Sequence, residues 1–207
     1  DAVLRDYGAD PQRTTVLYAP TWNVEQSLHQ VGAEVIDTLI GHDVQLLVKP
    51  HPMSLPSSDS LRTIPLAIEQ KRWDQFLQRR HDEGKLVWVK DDDTSRYLGA
   101  ADVLITDYGS TPFEYMVTGR PIVYFDTDDA RRTMSDPETM QRIEAATVPF
   151  HDARSCMSAL QQILAEPRVP ADRADAMKAI VSQRFFDPGA AAKRLFEHLS
   201  SAVDKVP

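Results

Sequence analysis

Two short stretches of this 207-residue chain combine residue types that could do chemistry on an anion. In Lys49-Pro50-His51-Pro52 an ammonium and an imidazole stand two positions apart. The flanking prolines stiffen the loop, so little entropy is lost when it orders around a ligand. A histidine titrates near neutrality and can act as acid, base or charge stabiliser; the plainer reading is a capped loop with an exposed histidine. In Asp107-Tyr108-Gly109-Ser110-Thr111-Pro112-Phe113-Glu114 an apolar strand breaks into the start of a helix. Gly109 is expected to allow a tight turn, Ser110 or Thr111 to serve as N-cap, and Pro112 to fit the first helical turn. Such a start presents unpaired N–H groups and a positive dipole end, a ready phosphate cradle, with a simple helix cap as the alternative. Glu114 closes the first turn, where it either offsets the dipole or accepts hydrogen bonds from ribose hydroxyls. Asp107 and Thr21 read as residues that orient the turns. Arg131 and Arg132, in a polar stretch after an apolar strand, could reach a diphosphate or simply be solvated.

These residues need a scaffold, and the pattern of apolar runs supplies one. Short strands are expected at Val16–Ala19, Val44–Val48, Leu86–Val89, Asp102–Thr106 and Pro121–Phe125, with an edge strand at Thr147–Phe150. Helices are expected between them, at about 27–39, 66–81, 94–98 and 112–118, and at about 153–165, 171–184 and 189–203 after them. The segment from Met53 to Thr63 reads as a Ser- and Pro-rich loop, and Asp126 to Arg142 as a polar loop. Alternation of short buried strands with helices is the pattern of an α/β fold, a Rossmann-like doubly wound parallel sheet. In such sheets ligands sit in the crevice at the carboxyl ends of the strands. Thr21, Lys49 to Pro52, Asp107 to Glu114 and Asp126-Thr127 all fall at such ends. No repeat or linker interrupts the chain, so a single domain over 1–207 is expected.

Composition narrows the function classes. A formal charge of -8 and a pI near 5.2 argue against a nucleic-acid partner, which usually calls for a basic face. The single cysteine, Cys156, rules out an intramolecular disulfide and reads as a small buried hydrophobe in a reducing compartment. No Cys/His cluster has zinc spacing, so no metal is expected. Asp91-Asp92-Asp93 reads as a solvated loop and helix cap, because adjacent side chains diverge. No apolar run approaches the ~20 residues of a membrane span, and no signal peptide is visible. The segment carrying Lys71, Arg72, Arg79 and Arg80 beside Trp73, Phe76 and Leu77 is basic and amphipathic. It could lie on an anionic surface, although packing on the sheet is commoner and its acidic neighbours weaken the membrane case. The chain starts at Asp1, shortly before its first strand, which suggests a piece of a longer protein.

Taken together, Val16-Leu17-Tyr18-Ala19-Pro20-Thr21-Trp22, Val48-Lys49-Pro50-His51-Pro52, Ala101 to Ser110 with Phe113-Glu114, and Arg120 to Phe125 resemble the C-terminal half of the CDP-glycerol glycerophosphotransferases of teichoic acid synthesis. The tail Phe185 to Arg194 resembles the closing segment of that family. The resemblance implies one half of a GT-B fold that binds the nucleotide donor and faces an N-terminal domain carrying the acceptor site and a catalytic base. It implies a CDP-linked donor as substrate, no cofactor, and a cell-envelope polymer as acceptor. The implied setting is cytoplasmic, with peripheral contact at the inner face of the membrane left open. His51 then takes the catalytic position at the donor diphosphate, and the turn Gly109-Ser110-Thr111 lies at the phosphates. By a looser likeness to UDP-GlcNAc 2-epimerases, Glu114 takes the ribose-binding position. Two departures stand out: Gly109 replaces a serine usual in the family, and Glu114 replaces an aspartate. A UDP- or CMP-linked sugar donor, or a non-catalytic nucleotide-binding module, are the alternative readings.

Overall fold

A computed structural model describes residues 2–55, 73–90, 92–132 and 137–184. The strands β1 (Thr15–Ala19), β2 (Gln45–Val48), β3 (Val87–Trp88), β4 (Val103–Thr106), β5 (Ile122–Phe125) and β6 (Val148–Phe150) form one six-stranded sheet in the order β3-β2-β1-β4-β5-β6. Every neighbouring pair is parallel, with Leu17 beside Leu47 on one side and beside Leu104 on the other. A parallel sheet must be covered on both faces, and the period of two in a strand divides its side chains between them. Val16, Tyr18, Leu46, Val48, Val103 and Ile105 join one core, while Leu17, Ala19, Leu47 and Leu104 join the other.

The first core is covered by α2 (Ser27–Gln30), α3 (Gly32–Ile40), α4 (Trp73–Asp82) and α9 (Ala153–Ala165). The second is covered by α1 (Ala2–Asp6), α5 (Thr94–Ala100), α6 (Thr111–Met116), α8 (Pro137–Ala146) and α10 (Ala171–Arg184). The short helix α7 (Asp128–Arg132) follows β5. Asp152 caps α9 through a reciprocal capping box with Ser155, and Asp93 caps α5 by accepting from the Ser95 N–H at 3.0 Å. Burial pushes the Cys156 thiol up to about 12, so it packs as a hydrophobe.

Several expectations need correction. The single helix expected over 27–39 is two helices, because Val31 leaves the helical region at φ -136° before Gly32 starts the next. A Cβ on Gly32 would stand 3.2 Å from both the Tyr18 hydroxyl and Leu28 Cδ1, so the break lets two helices pack closely over β1. Asp126 to Arg142 is not simply a loop. Asp128 and Asp129 open α7 and Arg131 and Arg132 close it, each matching the helix dipole. In α8 the buried Met140, Ile143 and Ala146 form an apolar stripe at helical spacing that the abundance of polar residues disguises. Ahead of β1, where the sequence pattern assigns no element, lies α1, which buries Leu4. Of the expected basic amphipathic helix, the described part is α4, which packs Trp73 and Leu77 into the core. There the Arg80 guanidinium lies over the Phe76 ring and pairs with Asp37 at 2.6 Å. Lys71, Arg72, Asp91, most of the Met53–Thr63 segment, the expected helix over 189–203 and the Phe185–Arg194 tail lie outside the described residues. No helix among the described residues is long and apolar enough to cross a membrane.

Candidate functional site

The strand order reverses its direction of growth between β1 and β4, so the loops leaving these strands turn to opposite sides and leave a crevice at their carboxyl ends. A cavity of about 190 Å³ occupies it. Its walls come from Pro20 and Thr21 after β1, Lys49 to Pro52 after β2, Tyr97 of α5, and Asp107 to Thr111 after β4. The structure thus brings together His51, Lys49, Thr21, Asp107, Gly109, Ser110 and Thr111, drawn from segments remote in sequence.

Asp107 is the fixed point of the site. Its side chain is buried, with the residue 1 % exposed, and both oxygens are occupied. Oδ1 accepts the Thr21 N–H at 2.7 Å, while Oδ2 accepts the Ser27 N–H at 3.0 Å and the Ser27 hydroxyl at 2.5 Å. Burial raises its carboxyl to about 6 against the opposing pull of these donors, so at neutral pH it is predominantly a buried, fully hydrogen-bonded carboxylate. Nearby, the Thr106 hydroxyl donates to the Ala19 carbonyl at 2.7 Å, further tying the ends of β4 and β1 together.

His51 stands at the rim. Its backbone N–H donates to the Pro20 carbonyl at 3.2 Å, and its Nδ1 accepts the Met53 N–H at 3.2 Å, capping the 3-10 turn Pro52–Ser54. With Nδ1 acting as acceptor, the neutral ring carries its proton on Nε2 and is a donor there. Although the residue is exposed as a whole, partial enclosure of the ring, aided by the positive charge of Lys49, holds its pKa below the usual 6.5. The Lys49 side chain is only 12 % exposed, with its ammonium 3.7 Å from the exposed Asp92 carboxylate and 5.9 Å from the centre of the Tyr97 ring. The site therefore offers one fixed positive charge and one neutral N–H donor to an anion.

The β4–α6 turn differs from expectation in detail. Ser110 holds the N-cap position of α6 in a helical conformation, φ -78° and ψ -28°, and its hydroxyl makes no capping bond. Gly109 is not among the glycines with positive φ, and a Cβ there would face open space, so the turn does not require glycine. Gly119, which ends the segment after α6, does adopt the left-handed conformation, at φ +68°.

Two expected site residues are not brought to this cavity. Glu114 lies half-buried further along α6, outside the residues that line it. Arg131 faces its own neighbours: it forks onto Asp126 and reaches Glu144 at 2.7 Å, and these carboxylates satisfy its charge. Conversely, Ser27, Tyr18 and Tyr97 belong to the site or its support without having stood out in the sequence. Tyr18 looked like one more apolar strand residue and Ser27 like an ordinary helix start. Among the described residues, no group of three or more His, Cys, Asp or Glu side chains could hold a metal ion.

A six-stranded parallel sheet with a crevice at its switch point is a Rossmann-like α/β domain, of the kind that makes up each half of a GT-B fold. The solved structures agree. The C-terminal domain of a group 1 family glycosyl transferase (LpcC) from Francisella tularensis superposes with a TM-score of 0.53 at 10% identity, over 89% of this chain and 91% of that one. A UDP-forming α,α-trehalose-phosphate synthase from Burkholderia vietnamiensis gives 0.53 at 13%, over 88% of this chain and 42% of that one. The wall teichoic acid polymerase TagF gives 0.63 at 19%, over 99% of this chain and 47% of that chain, so this chain spans about half its length. No curated protein matches the sequence. The chain belongs to the CDP-glycerol:poly(glycerophosphate) glycerophosphotransferase family, whose model matches residues 1–199.

Proposed function

We propose that this chain supplies the donor site of a transferase that moves a glycerol-phosphate, or similar polyol-phosphate, unit from a CDP-linked donor to a cell-envelope polymer. The observation that carries this reading is the cavity between β1 and β4, which Lys49 and His51 line together with the β4–α6 turn. A diphosphate seated there would receive the Lys49 charge and the His51 hydrogen bond. An acceptor hydroxyl attacks the donor's β-phosphorus, the anhydride bond to the α-phosphate breaks, and CMP leaves with the electron pair. The acceptor's proton passes to a base outside these residues. Donors aimed at the leaving phosphate lower the barrier because they strengthen as its charge develops. In this reading Glu114 would meet the ribose at the outer end of the site, and the acceptor polymer and any peripheral membrane contact belong to the rest of the enzyme.

Calorimetric titration with CDP-glycerol, UDP-glucose and CMP tests the assignment. CDP-glycerol binding that falls tenfold or more in His51→Ala, about 1.4 kcal/mol, supports it. Stronger binding of the uridine nucleotide would redirect the reading to a sugar donor, and the absence of any nucleotide binding would remove it.

A further inference from the structure

One carboxylate holds both ends of the loop at the mouth of the cavity. Oδ1 of Asp107 takes the N–H of Thr21, where the loop leaves β1, and Oδ2 takes the N–H and hydroxyl of Ser27, where it enters α2. An ionised Asp107 cannot donate, so the Ser27 hydroxyl gives its single proton to Asp107. Its oxygen, 2.9 Å from the Tyr18 hydroxyl, therefore accepts from Tyr18. The result is a one-way chain of donors, Tyr18 to Ser27 to Asp107, with all three residues at most 1 % exposed. Within the loop, the Gln26 N–H donates to the Asn23 carbonyl at 3.1 Å, and Gln30 Nε2 donates to the Val24 carbonyl at 2.7 Å. At its start, Pro20 accepts the His51 N–H, so displacement of the loop is felt by the segment that carries the imidazole.

We propose that Ser27 is a positioning residue of the cavity: by anchoring the far end of the Thr21–Gln26 loop to Asp107, it fixes the cavity mouth and, through Pro20, the place of His51. The role is remote, since Ser27 does not line the cavity. It is also specific. A buried serine that only filled space could be replaced by alanine without effect on the loop, whereas loss of this hydroxyl leaves Asp107 and Tyr18 each short of a buried partner. The affinity part of the claim rests on the proposed donor site; the placement of His51 does not.

Three readouts on the chain decide it: amide hydrogen exchange over Thr21–Gln26, NMR titration of the His51 ring, and calorimetry with CDP-glycerol. Ser27→Ala keeps the Ser27 backbone contact. It is expected to speed exchange in the loop about tenfold relative to β5, move the His51 midpoint up toward 6.5, and weaken CDP-glycerol binding about tenfold. Ser27→Thr, which retains the hydroxyl, should restore all three. Tyr18→Phe leaves the Asp107 contacts in place and should give smaller changes of the same sign, which decides the matter should Ser27→Ala fail to fold. Unchanged loop exchange, or faster exchange with His51 titrating as in the parent, overturns the proposal. If the parent binds no CDP-glycerol, the donor-site reading fails, and exchange with the His51 titration still settles the positioning claim.

Discussion

Arg131 closes a two-point fork on Asp126, Nε to Oδ1 at 2.6 Å and Nη2 to Oδ2 at 2.5 Å, at the end of β5. The pair is unequal: the Asp126 side chain is 12 % exposed and that of Arg131 44 %. Arg131→Ala is therefore expected to leave a mostly enclosed carboxylate without its fork, lowering stability by about 1 kcal/mol. CDP-glycerol affinity should stay within about twofold of the parent, because the arginine's charge is already met. Urea denaturation and calorimetry on the one variant check both halves; a large loss of affinity would return Arg131 to the diphosphate.

Two glycines near the site should answer substitution differently. A Cβ on Gly109 meets nothing within 4 Å, so Gly109→Ser is expected to change stability by less than about 0.5 kcal/mol. A Cβ on Gly32 stands 3.2 Å from Leu28 Cδ1 and the hydroxyl of Tyr18, and 3.3 Å from the Trp73 ring. These neighbours are buried and Tyr18 is held by Ser27, so Gly32→Ala should cost about 1 to 2 kcal/mol despite the better helix propensity of alanine. Parallel thermal melts decide, and equal behaviour of the two variants would contradict this packing.

Asp107 sets a sign for pH dependence. Its carboxyl is raised from 3.8 to about 6 in the fold, so between these values the folded state holds a proton that the unfolded state has lost. Lowering the pH through this window therefore favours folding as far as Asp107 is concerned. Its contribution is fully present below about 3.8 and is lost as the pH rises through about 6. The parent is expected to gain stability relative to Asp107→Asn as the pH is lowered from 7 to 4. Denaturation midpoints of both proteins across that range measure the difference, and parallel curves would show that the carboxyl is not shifted.

His51 sets the opposite sign. Its pKa lies below 6.5 in the fold, so its contribution to stability is present above 6.5 and is lost as the pH falls through the depressed value. Protonation there adds a positive charge to the cavity. CDP-glycerol affinity is therefore expected to rise more steeply toward acid in the parent than in His51→Gln. Titrations between pH 5.5 and 7.5 check this, and identical slopes would show that the ring does not meet the anion.

Elements governed by local pattern were legible in the sequence. The apolar runs that became β1, β2, β4 and β5 were evident because such strands are buried on both faces, and α9 because its apolar residues recur at helical spacing; the limits of α9 and α10 were also read as they stand. His51 and Lys49 were legible as a pair because prolines mark the end of a strand. What escaped depended on partners distant in the chain. Nothing around Ser27 announces Asp107, 80 positions later, and nothing around Arg131 distinguishes a phosphate-seeking arginine from one held by Asp126 and Glu144. The helices α7 and α8 were missed because their polar residues outnumber the Met140, Ile143 and Ala146 that seat α8.

The pairing of β1 with β4 also constrains how the molecule can be made. The Thr15 N–H finds the Asp102 carboxylate, and Val16 finds Val103, across a separation of 87 residues. On a ribosome β1 would emerge and pair with β2 while its other edge waited until β4, some 87 residues later, had been synthesised. Long-range parallel closure of this kind is slow and leaves an apolar strand edge exposed in the meantime. The interval before β4 arrives is accordingly when the nascent chain is most open to aggregation and to capture by a chaperone.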